Sequence, residues 1–423
     1  MKHTCKITFI SFVLFFIPLI LSAGTWTLIG LDGLNVQAID VHPENPDTIL
    51  ASANSTIYRT TNGGSTWQTV PSGIPAREIL FHPVYPDTAF AVMGIGSYSD
   101  GIYRSLNAGE SFDILNFFSW ATSIEIPIFP QGHMLAGLDS SGGVWKSTDE
   151  GQTWFPYSDS LGDMNVISLF SIEPYAGAHS PFAGTRTGIY YWGPGNHWVK
   201  SNSVNLPCVS MTGDLIGNPI YAALDGGSWS DGVYKSIDYG INWNVSWFWV
   251  YITSVLANPL NSQTVFAADS GYGVIMTTNG GDDWVEINEN LGDLRVNDLA
   301  MSRSDTSHLY AATCTGVYCY NFAPGIMQED ENRNTKFTIK LRTIATCGSP
   351  FSITCYAPNG MNGKEILLTL RDITGRKLIA REEVIKSAKT EFSFELPHSS
   401  GIYFLTVNTE GMSFSEKLVV LKK

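Results

Sequence analysis

Along most of the chain, apolar and polar residues alternate in short runs rich in β-branched and aromatic side chains, with clusters of Gly, Pro, Asn, Asp and Ser between them. A period of two predicts strands with one buried face. An eight-residue segment punctuates the runs. It reads Thr60-Thr61-Asn62-Gly63-Gly64-Ser65-Thr66-Trp67, then Ser105-Leu106-Asn107-Ala108-Gly109-Glu110-Ser111-Phe112, then Ser147-Thr148-Asp149-Glu150-Gly151-Gln152-Thr153-Trp154. It returns as Ser236-Ile237-Asp238-Tyr239-Gly240-Ile241-Asn242-Trp243 and Thr277-Thr278-Asn279-Gly280-Gly281-Asp282-Asp283-Trp284. A worn copy, Tyr191 to Trp198, keeps only Gly195 and Trp198.

The motif has the chemistry of a turn. Asn or Asp at position three accepts hydrogen bonds from turn amides two residues on, and Gly at position five permits positive φ. The closing aromatic then starts the next strand. Three of the six copies carry Asn in place of Asp, so these carboxylates read as scaffold and not as general acids.

With Trp26 in the same register, the closing aromatics are Trp26, Trp67, Phe112, Trp154, Trp198, Trp243 and Trp284, at intervals of 41, 45, 42, 44, 45 and 41 residues. Each interval repeats one content: a β-branched strand, a turn with Pro, a strand rich in small residues, a loop, and a third strand such as Gly101-Ile102-Tyr103-Arg104-Ser105. The spacing predicts four-stranded blades of about 43 residues. Arg295 to Tyr320 forms one more set without a turn motif or closing aromatic, and Trp26 to Ile29 supplies its missing strand. The expected fold is all-β, a ring closed at seven blades, with six blades and a stray strand as the alternative.

Composition narrows the class. Of 423 residues, 44% are hydrophobic and 15% charged, which excludes disorder, while 40 Gly and 20 Pro supply the turns. At the N-terminus, Met1 to Lys6 is basic, Ile7 to Leu21 is apolar, and Ser22-Ala23-Gly24 offers a cleavage site, so residues 1–24 read as a secretory signal peptide. Without Lys2 and Lys6 the charge is 23 Lys and Arg against 39 Asp and Glu, or −16. That balance disfavours nucleic acid or an anionic membrane as partner, and no membrane-spanning segment is expected in the mature form. Five cysteines follow the leader, an odd number. Cys314 with Cys319 and Cys347 with Cys355 could bridge hairpins, leaving Cys208, or all could be buried thiols. No Cys/His cluster has zinc spacing, and neither metal nor cofactor is expected.

The Ser/Thr-x-Asp/Asn-x-Gly-x-Thr-Trp box, with the turns His42-Pro43-Glu44-Asn45-Pro46-Asp47-Thr48 and His82-Pro83-Val84-Tyr85-Pro86-Asp87-Thr88, resembles the Asp-box (BNR) propeller superfamily from Thr25 to about Phe322. The resemblance implies a propeller over residues 25–322. Members of that superfamily include sialidases, xyloglucan-cleaving glycoside hydrolases, sortilin-type receptors and a photosystem II assembly factor, so fold alone does not choose a function.

Residues 323–335 form a polar linker, and beyond it the charge inverts. Residues 25–335 carry 10 basic and 31 acidic side chains (−21), and residues 336–423 carry 13 and 8 (+5). Alternating runs at Phe337–Leu341, Ile366–Leu370, Phe392–Leu396, Ile402–Val407 and Leu418–Leu421 predict a small antiparallel sandwich of immunoglobulin-like size. The stretches Leu370-Arg371-Asp372-Ile373-Thr374-Gly375-Arg376-Lys377, Ser400-Gly401-Ile402-Tyr403-Phe404 and Lys417-Leu418-Val419-Val420-Leu421-Lys422 resemble the C-terminal sorting domain of the type IX secretion system. The family's Asn-Pro-Phe reads Ser349-Pro350-Phe351 here. The resemblance implies passage through the periplasm to the outside or outer surface of a Gram-negative-type cell, with that secretion machinery as a partner.

In a propeller, loops from each fourth strand to the next blade, and from second to third strands, open on one face. Here that face is aromatic: Phe117-Phe118-Ser119-Trp120 and Trp247-Phe248-Trp249-Val250-Tyr251 enter blades, and Tyr98, Trp229 and Tyr272 lie in second-to-third loops. Exposed rings suit sugar faces or protein hot spots, which makes Trp120, Trp229, Trp247, Trp249, Tyr98 and Tyr272 the candidate ligand-binding residues. Asp100, Asp139, Asp225, Asp231 and Asp269 fall in the same loops, where they also serve as turn residues. Arg77, Arg186 and Arg295 lie near that face, but no sialidase arginine motif is present. The leading expectation is a secreted or surface propeller that binds a polysaccharide or protein without catalysis. The rival is a glycoside hydrolase using a loop acid pair, with Asp139 and Asp225 as weak catalytic candidates.

Overall fold

The structure is a computed structural model that describes residues 24–70, 76–93, 100–128, 130–175, 178–213, 218–227, 231–248, 251–322, 338–341, 344–346, 350–356, 363–372, 376–387, 389–399, 401–409 and 412–421. Seven antiparallel sheets of four strands succeed one another from Thr25 to Asn321. Their first strands, Val36–Val41, Glu78–Phe81, Ala121–Glu125, Val166–Tyr175, Cys208–Gly213, Ile252–Asn258 and Val296–Ala300, touch one another in cyclic order, the last meeting the first. The chain is therefore a seven-bladed β-propeller. The seventh blade takes its fourth strand from Thr25–Gly30, which pairs antiparallel with Gly316–Asn321 and sets Trp26 opposite Tyr320. The closure expected from the repeat is the one observed.

The small residues of the second strands have a packing reason. Ile49–Ala53, Ala89–Met93, Met134–Leu138 and Ile220–Leu224 are buried at every position, because blades cover both of their faces. Each has alanine at its centre (Ala51, Ala91, Ala136, Ala222), while larger neighbours such as Leu50, Phe90 and Tyr221 fill the space between blades. Fourth strands such as Asp113–Asn116 face solvent.

Blade junctions are sealed by a ring of polar side chains on the first strands. Asp298 accepts from Ile39 N (3.1 Å), Asp40 from Phe81 N (2.7 Å), Glu78 from Ile124 N (2.9 Å), Ser123 from Leu169 N (3.1 Å) and Ser210 from Val255 N (3.2 Å). Ser168 donates to Cys208 O (2.7 Å) and Ser254 to Asp298 Oδ1 (3.0 Å), so all seven junctions are bridged. In six blades the first strand carries a register shift at its start, as between Ala121 and Ser123. Bulges of this kind re-aim side chains.

The repeated turn differs in detail from the sequence expectation. The hydroxyl at position one accepts from the Gly N–H at position five, and the Asn or Asp at position three accepts from the amide four residues on, not two. In the fifth blade Gly240 N donates to Ser236 (2.9 Å) and Asn242 N to Asp238 (2.9 Å), and the other four intact copies repeat both bonds. Gly240 has φ +78°, and a Cβ there would lie 2.2 Å from Phe182 Cε1 of the preceding blade. The turn thus docks one blade onto another. The worn copy is a plain hairpin in which Gly193 pairs with His197 and Trp192 with Trp198.

Beyond the propeller, a three-stranded sheet (Thr338–Leu341, Pro350–Tyr356, Lys389–Glu395) and a five-stranded sheet share one core. Alternate residues meet in it, with Phe351, Ile353 and Phe392 from one sheet against Leu368, Leu405, Val407 and Val420 from the other. This is the expected β-sandwich, but it is not wholly antiparallel. Ile344–Thr346 runs parallel to Met412–Leu421. Pro350–Tyr356 and Lys377–Val384, unmarked in the sequence expectation, are strands. Cys314 and Cys319 are free thiols, so no bridge spans their hairpin. Cys319 and Cys208 are buried, and burial pushes both thiols up to about 12. Cys347 and the Cys355 side chain lie outside the described residues.

Candidate binding face

The fourteen loops on the expected face carry nine carboxylates and three arginines. Two of those arginines are engaged. Arg186 forms a two-pronged ion pair with Asp139, Nε to Oδ1 at 3.1 Å, and Arg295 does the same with Asp293 at 3.0 and 2.9 Å. The guanidinium of Arg186 holds the Asp139 carboxyl below its ordinary range, and that of Arg295 does so for Asp293. An acid so held is a poor proton donor. Asp225 accepts from Gly227 N (3.3 Å), and Asp231, buried, accepts from Gly226 N (2.9 Å), both turn bonds.

The aromatic residues divide. Phe117 (68% exposed) and Trp120 (42%) stand clear of the fold at the entry to the third blade, whereas Phe118 is buried against Trp145 and Trp154. Trp120 has φ +63°, a conformation costly for a bulky side chain. Its carbonyl accepts from Asp139 N (3.0 Å) and its N–H meets Asp100 Oδ2 (3.4 Å). At the matching place in the sixth blade stands Tyr251 (53%), with Phe248 before it and Tyr272 (62%) across the neighbouring loop. Trp247 is half-buried, packed between the fifth and sixth blades. Tyr98, Trp229 and Trp249 lie outside the described residues.

Asp269 ends the second strand of the sixth blade. It is 2% exposed; Oδ1 accepts from Gly271 N (2.8 Å) and Tyr272 N (2.7 Å), while Oδ2 is buried without a hydrogen bond of normal geometry. Burial raises its pKa, opposed by the amides of Tyr272, Gly271 and Tyr251, and the nearby charge of Asp225 raises it further. Among the described residues no cluster of three His, Cys, Asp or Glu side chains is placed to hold a metal.

No family model and no curated protein matches the chain. Solved structures do, three of them at 7–13% identity. YCF48 from Cyanidioschyzon merolae is 13% identical over 70% of this chain and 98% of its own (TM-score 0.49). KlAtg21, solved with the coiled coil of AgAtg16, is 10% identical over 69% and 95% (TM-score 0.47), and the gluconolactonase XC5397 of Xanthomonas campestris is 7% identical over 70% and 89% (TM-score 0.41). All three are β-propellers. Function has to be read from this chain's own loops.

Proposed function

We propose that the propeller is a non-catalytic binding module that takes a polysaccharide or a protein on its loop face, outside the cell or on its surface. The observation that carries this reading is the set of exposed rings Phe117, Trp120, Tyr251 and Tyr272, one of them held in a strained backbone conformation. Flat rings offer large contact area at small entropic cost, and exposed strain points to function. The two Asp-box carboxylates, Asp149 and Asp238, are spent on turn amides and offer no catalytic acid, and the basic, apolar N-terminal run with the sorting-domain stretches supports export by the type IX route. The rival glycoside hydrolase gains little from Asp139, which Arg186 holds ionised.

Binding of polysaccharides and candidate proteins to the wild type and to a Trp120→Ala/Tyr251→Ala/Tyr272→Ala variant tests the reading. The expected result is a ligand lost by the variant at an unchanged melting temperature. Undiminished binding, or release of reducing ends abolished by Asp225→Asn, would refute it. For the address, removal of residues 336–423 is expected to leave the protein in the periplasm, and unchanged surface display would refute the sorting role.

A further inference from the structure

Independently of the loop face, we infer that the opposite face, which carries the boxes, holds a docking site for this chain's own β-sandwich: the turn Ser236–Trp243 of the fifth blade receives the outer side of the five-stranded sheet around Phe404.

The turn departs from its siblings. Ile237, Tyr239 and Ile241 stand 63%, 48% and 40% exposed at its second, fourth and sixth positions. The other intact boxes hold polar or small residues there, apart from Leu106. Tyr239 has φ +59°, at a position that two siblings give to Gly63 and Gly280, so an exposed ring is kept where the backbone disfavours it. The neighbouring blade has changed with it. Arg59, opposite Leu50, pairs with Glu110 of the next box (3.6 Å), and Lys235, opposite Tyr221, pairs with Asp282 (3.7 Å). The corresponding places in the fourth and fifth blades hold Tyr191, opposite Phe182, and Ile241. The fourth blade also carries the worn box, and its first hairpin runs on to pair Tyr175 with Ala178, where the first blade turns after Val41. The departures from the repeat thus gather in one sector. The turn is also clamped in place: Ser201 Oγ donates to Gly240 O (2.6 Å) and Asn202 N to Ile241 O (2.8 Å).

The chain itself brings an occupant to this face. Phe322 N donates to Ser307 O (3.2 Å), in the turn that matches the His-Pro turns of other blades, so the segment leading to the sandwich departs from the box face. The fifteen residues between Phe322 and Thr338 can span about 50 Å, against a propeller radius of gyration of about 19 Å. On the sandwich, Phe404 is 40% exposed between the core residues Tyr403 and Leu405, so it points outward. Arg371 stands opposite Phe404 and Lys377 opposite Arg371, both exposed. Beside the propeller turn, Asp282 and Asp283 are exposed. An apolar and basic patch on a domain of charge +5 thus complements an apolar and acidic one on a domain of charge −21. With a tethered concentration of about 1 mM, a contact of only about 0.1 mM affinity would be closed about nine-tenths of the time.

Hydrogen exchange and small-angle scattering on the whole mature chain test this. Phe404→Asp, in the sandwich, is expected to speed exchange at residues 237–241 of the propeller on the order of tenfold and to raise the radius of gyration by about 4 Å. Tyr239→Asp is expected to do the reverse, speeding exchange at residues 403–406. Arg371→Glu, which leaves the apolar groups in place, is expected to act in the same direction as Phe404→Asp, and Leu106→Asp, in the second box, is expected to change neither reading. Exchange at residues 237–241 that is the same in the wild type, Phe404→Asp and Arg371→Glu would overturn the inference. Protection that appears only with a doubled molecular mass would overturn it in favour of a second copy. Neither outcome touches the loop-face reading, which fails only on its own ligand test.

Discussion

Ser236 and Asp238 show how a carboxylate can be structural. The Ser236 hydroxyl satisfies the amides of Asp238 and Gly240, and Asp238 satisfies Asn242 N, so replacing either strands buried or turn amides. Ser236→Ala is expected to cost about 1–3 kcal/mol in urea unfolding. Gly240→Ala is expected to cost more, because the positive φ and the approach to Phe182 act together. An unchanged midpoint for either would contradict the role of the turn as a blade-to-blade clamp. That Asp238 is scaffold was legible from the Asn at equivalent positions. Its reach of four residues was not, since a turn amide has several acceptors within range and only the folded path selects one. Asp269 was legible merely as a turn acid, because burial of one oxygen depends on neighbouring loops that are distant in sequence.

At the scale of elements, the N-terminal strand carries the closure. Trp26 is buried between Tyr320 and the sixth blade, its ring 5.2 Å from that of Tyr320. Trp26→Ala is expected to cost about 3–5 kcal/mol, and the loss should be read as earlier opening of the ring. Hydrogen exchange would show it: faster exchange concentrated in Gly316–Asn321, whereas uniform acceleration would argue against local opening. This closure was readable from a set of three strands lacking its fourth. The polar ring on the first strands was not, because its members are Asp, Glu and Ser contributed one blade at a time. Periodicity within a strand is silent on contacts between blades. The sandwich strand Lys377–Val384 escaped notice for a related reason: as an exposed edge it holds Arg381, Glu382 and Glu383 where a buried strand would hold apolar residues.

For the whole molecule, the polar ring sets a dependence on pH. Burial raises Asp40 to about 7, Glu78 to about 8 and Asp298 to about 6, against ordinary values of 3.8, 4.5 and 3.8. Each folded value exceeds the unfolded one, so the stability these groups contribute is fully present below about pH 4 and is lost as pH rises through 6 to 8. Asp139 and Asp293, held low by their arginines, act oppositely, and their contribution is lost as pH falls below the ordinary value of 3.8. Burial lowers His82 to about 4, so its contribution is lost as pH falls from 6.5 through 4. The raised carboxyls govern the alkaline side, and melting temperature is expected to fall as pH rises from about 6 to 8. Glu78→Gln, which keeps an acceptor for Ile124 N, is expected to flatten that fall; an equally steep decline would contradict the assignment.

The face opposite the boxes is the part of the molecule to which function is assigned, and ligand footprinting by hydrogen exchange addresses it most directly. With any ligand that binds the mature chain, protection is expected at residues 117–121 and 251–273, with none at the turns 236–243 and 277–284. Protection confined to those turns, or to the sandwich, would contradict the account.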